Sequence, residues 1–160
     1  LNSSNNNIDK MANYVATRWY RSPELLLSEG IYGPAIDYWA IGCIMGEIVD
    51  GEPMFPGEDE LDQLNRIIKL LGDLTKDQVE MFNKNKDYKG KKRIKIDKYE
   101  SLDEKYKGKL EPDAIEFMKG LLEIDPNKRL NSNNVFKHKY LILCYHVRDK
   151  TSKWCISINI

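Results

Sequence analysis

The stretch AIDYWAIGCIMGEIV, residues 35–49, is apolar on nearly every face that a helix could present. Such a helix is expected to be buried on all sides in a globular protein. At a rise of 1.5 Å per residue it would be roughly 22 Å long, which is enough to form the centre of a domain. Trp39 is predicted to lie in the core, and Asp37 suits the N-terminal end of the helix dipole. We therefore expect a mainly α-helical fold built around this central helix.

Further helices are predicted downstream. Residues 61–71 carry apolar side chains at helical spacing, and Gly72 suits the C-terminus of that helix. Pro112 opens another helix, which ends before the turn at residues 125–129. A last helix is expected from Asn131, a good N-cap, to His138.

The segment 75–109 between these helices is rich in lysine. A basic surface could bind nucleic acid or an acidic partner. Acidic residues interleave with the lysines, however, so the segment is predicted to be a solvated insert, and nucleic-acid binding is disfavoured.

A second informative stretch precedes the central helix and reads YVATRWYRSPE, residues 14–24. Arg18 and Arg21 flank an aromatic pair, and two guanidinium groups are suited to binding a phosphate. Tyr14 has a hydroxyl that could carry that phosphate. The structural alternative is a buried loop whose arginines bind carbonyl and carboxylate groups. Both interpretations are open at this point.

The stretch resembles the end of the activation segment of eukaryotic serine/threonine protein kinases, with Ser22-Pro23-Glu24 in place of the Ala-Pro-Glu signature. The form V-A-T-R-W-Y-R-x-P-E is similar to the CMGC group. Residues 82–85, Phe-Asn-Lys-Asn, are similar to the cyclin-dependent-kinase-like family. The resemblance covers about residues 11–141. It implies the C-terminal, large lobe of the protein kinase-like fold, incomplete, with the CMGC insert at about 75–109.

The resemblance implies roles for single residues. Thr17 matches the threonine that supports the catalytic aspartate, and Tyr14 matches the activation tyrosine that Arg18 and Arg21 would receive once phosphorylated. Ala12 stands where the pattern has threonine, which leaves one activating phosphosite. The resemblance makes Arg21 the group's arginine near the pocket for a proline that follows the phosphorylated residue.

Three positions match structural residues of the family. Glu24 and Arg129 match a buried ion pair that ties the activation segment to the later helices. Asp37 matches the aspartate of an Asp-x-Trp-x-x-Gly motif, which includes Trp39 and anchors the catalytic loop.

The motifs that bind ATP and Mg²⁺ in a kinase are missing from this sequence. A Gly-rich loop, a strand lysine, His-Arg-Asp and Asp-Phe-Gly are the usual signs, and none occurs. ATP and Mg²⁺ are implied for the complete kinase, and no cofactor or metal site is expected in this chain. The chain alone is expected to be inactive.

The composition sets broad limits. Lys+Arg and Asp+Glu are both 25, so no net charge draws the chain toward nucleic acid or a membrane. No apolar run approaches the ~20 residues of a membrane span, and the three cysteines show no metal or disulfide pattern. We expect an intracellular protein, cytoplasmic or nuclear. Residues 1–10 are predicted to be a flexible lead-in, and residues 142–160 a tail of unknown role.

Two functions are compatible with these features. The first is part of a serine/threonine kinase catalytic domain, with a protein substrate, activation by an upstream kinase or autophosphorylation, and a docking partner at the insert. The second is an inactive, kinase-derived binding or scaffold module. The retained Thr17, Arg18 and Arg21 favour the first.

Overall fold

The computed structural model describes residues 18–28, 33–96 and 98–142, and these ranges are almost entirely helical and irregular. The helices are α1 (Pro23–Leu27), α2 (Pro34–Asp50), α3 (Glu60–Leu71), α4 (Lys76–Lys84), α5 (Leu102–Tyr106) and α6 (Pro112–Leu121). Short 3-10 helices cover Lys86–Tyr88 and Val135–Lys137. The described ranges contain no strand beyond an isolated bridge between Lys107 and Leu110, so the mainly α-helical prediction is confirmed. None of the helices described is long and apolar enough to cross a bilayer.

The central helix α2 is one residue longer at each end than predicted. Pro34 occupies its first position, and Gly51, with φ of 75°, ends it. Trp39 and Cys43 are buried on the face that packs against α6. Gly42 permits the close approach, because a Cβ atom there would come within 2.8 Å of the Leu122 side chain.

The opposite face of α2 contradicts the prediction that this helix is buried on all sides. Ile41, Ile44 and Ile48 are 49%, 47% and 57% exposed, respectively. Asp37 precedes Ile41 by one turn and is exposed as well. These positions are spaced four, three and four residues apart, so they line one side of the helix. We call Ile41, Ile44 and Ile48 the isoleucine stripe; no described element covers it.

The predicted helix at 61–71 is confirmed as α3, which starts one residue earlier. Asp59 caps it by accepting a hydrogen bond from the Asp62 N–H at 2.8 Å, and Gly72 follows it with φ of 103°. The side chains of Leu64, Ile67 and Ile68 are buried in the main core.

The insert is only partly solvated, which corrects the sequence prediction. Its lysines, apart from the half-buried Lys105, are exposed, but Phe82, Tyr88, Leu102 and Tyr106 are buried in the main core. Helix α4 begins with a capping box in which Thr75 and Gln78 satisfy each other's backbone N–H groups. The apolar residues of the insert are too widely spaced in the sequence to reveal that they join one core.

The predicted last helix, from Asn131 to His138, is wrong. Only Val135–Lys137 is helical, and as a 3-10 helix. The Asn131 side chain accepts from the Asn133 N–H at 2.9 Å, and the Asn134 side chain accepts from the Asn131 N–H at 2.7 Å. Both bonds satisfy N–H groups that have no intrahelical partner at a helix N-terminus, so Asn131 caps a single turn, and that turn does not continue as the predicted helix. The lead-in 1–10 and the tail after residue 142 lie outside the described residues, so both remain predictions.

Candidate functional site

The described part of the segment 14–24 begins at Arg18, which is buried against the loop before α3. Its Nη2 donates to the carbonyl oxygens of Gly57 and Glu58 at 3.2 and 2.7 Å. Trp19 Nε1 donates to the same Gly57 oxygen at 3.1 Å. The loop therefore offers its carbonyl groups to two side chains of the segment.

Gln63 of α3 closes this junction from the other side. Its side chain is fully buried, donates from Nε2 to the Trp19 carbonyl at 3.1 Å and accepts from the Gly57 N–H at 3.0 Å. A Cβ atom at Gly57 would come within 2.6 Å of the Gln63 Cα atom. Glycine at 57 is thus a requirement of the close packing between the segment and α3.

Arg21 also contacts this part of the protein, through the carboxylate of Glu60, the first residue of α3. Its Nη1 lies 3.2 Å from Glu60 Oε1, and the two side chains are 19% and 35% exposed. Arg18 and Arg21 therefore both contact the short stretch 57–60. Their described partners are carbonyls and a carboxylate, as in the structural alternative.

The predicted phosphate site is incomplete in the described structure. Tyr14 and Thr17 lie outside the described residues. Binding of a phosphorylated Tyr14 by Arg18 and Arg21 therefore remains a prediction. A phosphate at Arg21 would compete with Glu60 for the guanidinium group.

Tyr20 links the segment to α2, a contact that sequence reasoning missed. Its hydroxyl donates to Glu47 Oε2 at 2.5 Å. This hydrogen bond, with burial, raises the pKa of Tyr20 to about 12. The sequence signal for this contact was the acidic residue Glu47 within the apolar run 38–49.

Glu24 and Arg129, predicted as a pair, lie in direct contact. Arg129 Nη1 and Nη2 donate to the two oxygens of Glu24 at 2.6 and 3.0 Å, and the side chains are 0% and 8% exposed. Arg129 also donates to the carbonyls of Glu123 and Ala35, both at 2.8 Å. This network joins α1 to the start of α2 and to the turn after α6.

The guanidinium of Arg129 lies over the ring of Trp39, with 5.1 Å between Cζ and the ring centroid. Trp39 is fully buried and stacks on Phe55 at 6.1 Å between centroids. The sequence-based placement of Trp39 in the core is confirmed.

Asp37 differs from the other predicted positions. It lies in the first turn of α2, is exposed, and makes no hydrogen bond or ion pair within residues 18–28, 33–96 and 98–142. The anchoring role implied by the family resemblance has no partner among these residues.

A buried carboxylate at the end of α2 was also missed. The Asp50 side chain is 6% exposed and binds Lys105 at 2.9 Å, Lys109 at 2.7 Å and the Tyr106 hydroxyl at 3.1 Å. Burial raises the pKa of Asp50, but the hydrogen bonds from Lys109 and Lys105 outweigh that effect and hold the pKa below its usual value. These contacts fasten the end of the insert to α2.

Comparison with known proteins gives one family. A family model described as "Protein kinase domain" matches residues 1–141. The chain is 43% identical over 137 residues to cyclin-dependent kinase-like 5 of Mus musculus, covering 86% of this chain and 14% of that protein. It is 44% identical over 127 residues to cyclin-dependent kinase-like 2 of Homo sapiens, covering 79% of this chain and 26% of that protein. With cyclin-dependent kinase-like 4 of Mus musculus the identity is 39% over 132 residues, covering 82% of this chain and 38% of that protein. The chain thus spans well under half the length of each of these relatives.

Proposed function

Because the chain belongs to the protein kinase domain family, we propose that it is the part of a serine/threonine kinase catalytic domain that carries the activation segment and the substrate platform. The complete domain would transfer phosphate from ATP to serine or threonine of a protein substrate. The similarity to the cyclin-dependent-kinase-like proteins places it in the CMGC group.

The exposed side of α2 is the observation that carries this proposal. The isoleucine stripe is about half exposed, and Asp37 lies in the same row without a described partner. Isoleucine side chains at this exposure favour burial by another element, at roughly 25 cal/mol per Å² of apolar surface. In the proposed complete domain, another part of the kinase packs on the stripe, and Asp37 binds the backbone of the catalytic loop.

The contacts of residues 18–28 support the role of a substrate platform. The Glu24–Arg129 pair, the Tyr20–Glu47 hydrogen bond and the Arg18 contacts hold this stretch against α2 and α3. A fixed platform can position a substrate for transfer. Thr17 would support the catalytic aspartate from the adjacent position.

Regulation would act through Tyr14. Its phosphorylation would add about −1.5 to −2 charges next to Arg18 and Arg21 and could order the segment. Arg21 would then exchange Glu60 for the phosphate. An upstream kinase or the kinase itself would supply the modification.

The described residues do not fit the cofactors of the reaction. The family implies ATP and Mg²⁺, but no group of three His, Cys, Asp or Glu in the described ranges could hold a metal ion. The phosphate-binding and magnesium-binding motifs are also missing from the sequence. No step of phosphate transfer is therefore assigned to residues of this chain.

We also propose a docking partner and a cellular location for the enzyme. The insert at 75–109 would hold a docking partner, and the protein would act inside the cell, in cytoplasm or nucleus. The substrate would be a protein.

The test uses the full native protein and the 160-residue chain side by side. Transfer of labelled phosphate from ATP to serine or threonine peptides is measured with Mg²⁺. The full protein should be active and the 160-residue chain inactive. In the full protein, Ile44→Asn should abolish activity and lower the melting temperature, because the stripe is buried there.

Ile94→Asn is the matched control, since Ile94 is 38% exposed on the insert. It should leave activity unchanged and lower the melting temperature less than Ile44→Asn does. A full protein that folds but transfers no phosphate would refute the kinase proposal and support the scaffold. An Ile44→Asn protein with unchanged activity and melting temperature would refute the packing of another kinase segment on the stripe.

A further inference from the structure

The insert contains a lysine-rich loop, residues 86–98, that the catalytic proposal does not use. We propose that this basic loop docks an acidic segment of a partner protein, through the carboxylates or phosphates of that segment. The inference rests on the proposed function, in which the insert holds a partner, and it specifies which chemical groups of the partner are bound.

The charge of the loop is locally unbalanced. It contains seven basic residues and two acidic ones, although the chain as a whole carries equal numbers of each. Six lysines are exposed and form no ion pair with a described carboxylate: Lys86, Lys89, Lys91, Lys92, Lys95 and Lys98. By contrast, Lys84 just before the loop binds Glu80 at 3.2 Å. A surface of unpaired like charges attracts a complementary partner and speeds its association.

Contacts at two residues of the loop, Tyr88 and Ile94, hold its backbone against the core and α3. Tyr88 is 3% exposed, stacks on Phe82 at 4.6 Å between centroids, and donates its hydroxyl to the Leu26 carbonyl at 2.9 Å. The Ile94 N–H donates to the Asn65 side chain at 2.9 Å. The lysines therefore extend from an ordered backbone, which lowers the entropic cost of binding.

The side chains of the loop favour an acidic protein segment over nucleic acid. Surfaces that bind single-stranded nucleic acid combine positive charge with exposed aromatic rings and arginine. Here the one aromatic residue, Tyr88, is buried, and the one arginine, Arg93, forms an ion pair with Asp73. A lysine ammonium group is a compact point charge that can pair with a carboxylate or a phosphate group.

A membrane surface is also disfavoured. Peripheral membrane helices present a broad apolar face below their basic residues. Within the loop, Ile94 is the one large apolar side chain exposed among the described residues, at 38%, and residues 91–96 are not helical.

The experiment compares two triple variants of the full native protein. Lys91→Gln, Lys92→Gln and Lys95→Gln together remove three charges from the loop. Lys76→Gln, Lys107→Gln and Lys137→Gln remove three charges that are also exposed but lie outside the loop. Circular dichroism and melting temperature verify that both variants fold.

Binding is measured by fluorescence anisotropy with labelled oligoglutamate, oligoglutamine and a phosphoserine-rich peptide, at low salt and at about 0.15 M. Oligoglutamate or the phosphoserine peptide should bind the unmodified protein, and oligoglutamine should not. The loop variant should bind about tenfold more weakly, from three modest contacts, and the control variant within about twofold of the parent. The peptide that binds more tightly at about 0.15 M salt identifies carboxylate or phosphate as the preferred group.

Three results would overturn the proposal. One is equal loss of binding in the loop and control variants, and another is no binding of either acidic peptide at about 0.15 M salt. The third is tighter, loop-dependent binding of single-stranded RNA or of vesicles containing phosphatidylserine. Phosphorylation of a short peptide substrate is measured in parallel and should be unchanged in the loop variant. Its absence in the parent protein would count against the proposed kinase function and not against the docking surface.

Discussion

The sharpest test of the tertiary structure is to remove the guanidinium group of Arg129. Arg129→Ala deletes both hydrogen bonds to Glu24, the bonds to the carbonyls of Glu123 and Ala35, and the contact with the Trp39 ring. Glu24 would remain buried, at 8% side-chain exposure, without its counter-charge.

The size of the effect follows from this burial. Breaking a buried ion pair by removing one partner costs about 3–5 kcal/mol, because the remaining charge is left in a medium of low polarity. A domain of this size is stable by about 5–15 kcal/mol in total, so the loss is a large fraction. At about 2–4 °C per kcal/mol, the melting temperature should fall by roughly 6–20 °C.

Lys128→Ala provides the matched control. Lys128 is adjacent in sequence, its side chain is 72% exposed, and its contact with Asp125 is 3.7 Å long. An exposed pair of this kind contributes about 0–1 kcal/mol. Both variants are made in the full native protein, and urea unfolding followed by circular dichroism gives the free energies.

Arg129→Met combined with Glu24→Leu separates burial from pairing. Replacing both charges by apolar side chains removes the unpaired carboxylate, so the double variant should be more stable than Arg129→Ala alone. Equal unfolding free energies for Arg129→Ala and Lys128→Ala would show that the reasoning about the buried pair is wrong.

Three further predictions concern stability in urea unfolding. The pKa of Tyr20 is raised to about 12, so its contribution to the free energy of unfolding is fully present below the ordinary tyrosine pKa near 10 and is lost as the pH rises toward 12. Tyr20→Phe should remove this loss of stability at high pH. At neutral pH it should cost about 1–2 kcal/mol, because Glu47 loses its hydrogen-bond donor. The pKa of Asp50 is lowered, so its contribution to the free energy of unfolding is present above the ordinary aspartate pKa near 4 and is lost as the pH falls below that value. Asp50→Asn should remove this loss of stability in acid. An unchanged stability profile in acid would contradict the role given to Asp50. Gly57→Ala should lower the free energy of unfolding by about 1–3 kcal/mol, because the added Cβ atom would clash with α3. Gly33→Ala is the control and should cost less than ~1 kcal/mol, because no atom lies within 4 Å of its added Cβ atom. Equal costs would argue against the close packing at Gly57.

Local patterns in the sequence predicted the helices whose ends are set by nearby residues. Gly72 and Pro112 lie at the helix boundaries that their backbone preferences favour. The same reasoning failed at residues 131–138. There, Asn131 caps a turn as expected, but a favourable N-cap does not by itself extend a helix to His138.

Family resemblance predicted one long-range contact that periodicity could not. Glu24 and Arg129 are 105 positions apart, and nothing in their local sequence indicates that they meet. The ion pair was expected only because similar motifs were matched residue by residue. Its energetic role can be argued only from the burial that the structure gives it.

The sequence by itself determined the mainly helical fold class, the central helix and the family, because these depend on residue type, short spacing and motifs. The tertiary structure decided which residues meet. Tyr20 binds Glu47, and Asp50 binds lysines of the insert, because folding brings separate helices together. It also decided which face of α2 remains open. An all-apolar helix does not reveal which side its neighbours cover, and only the packed arrangement showed Ile41, Ile44 and Ile48 exposed beside Asp37.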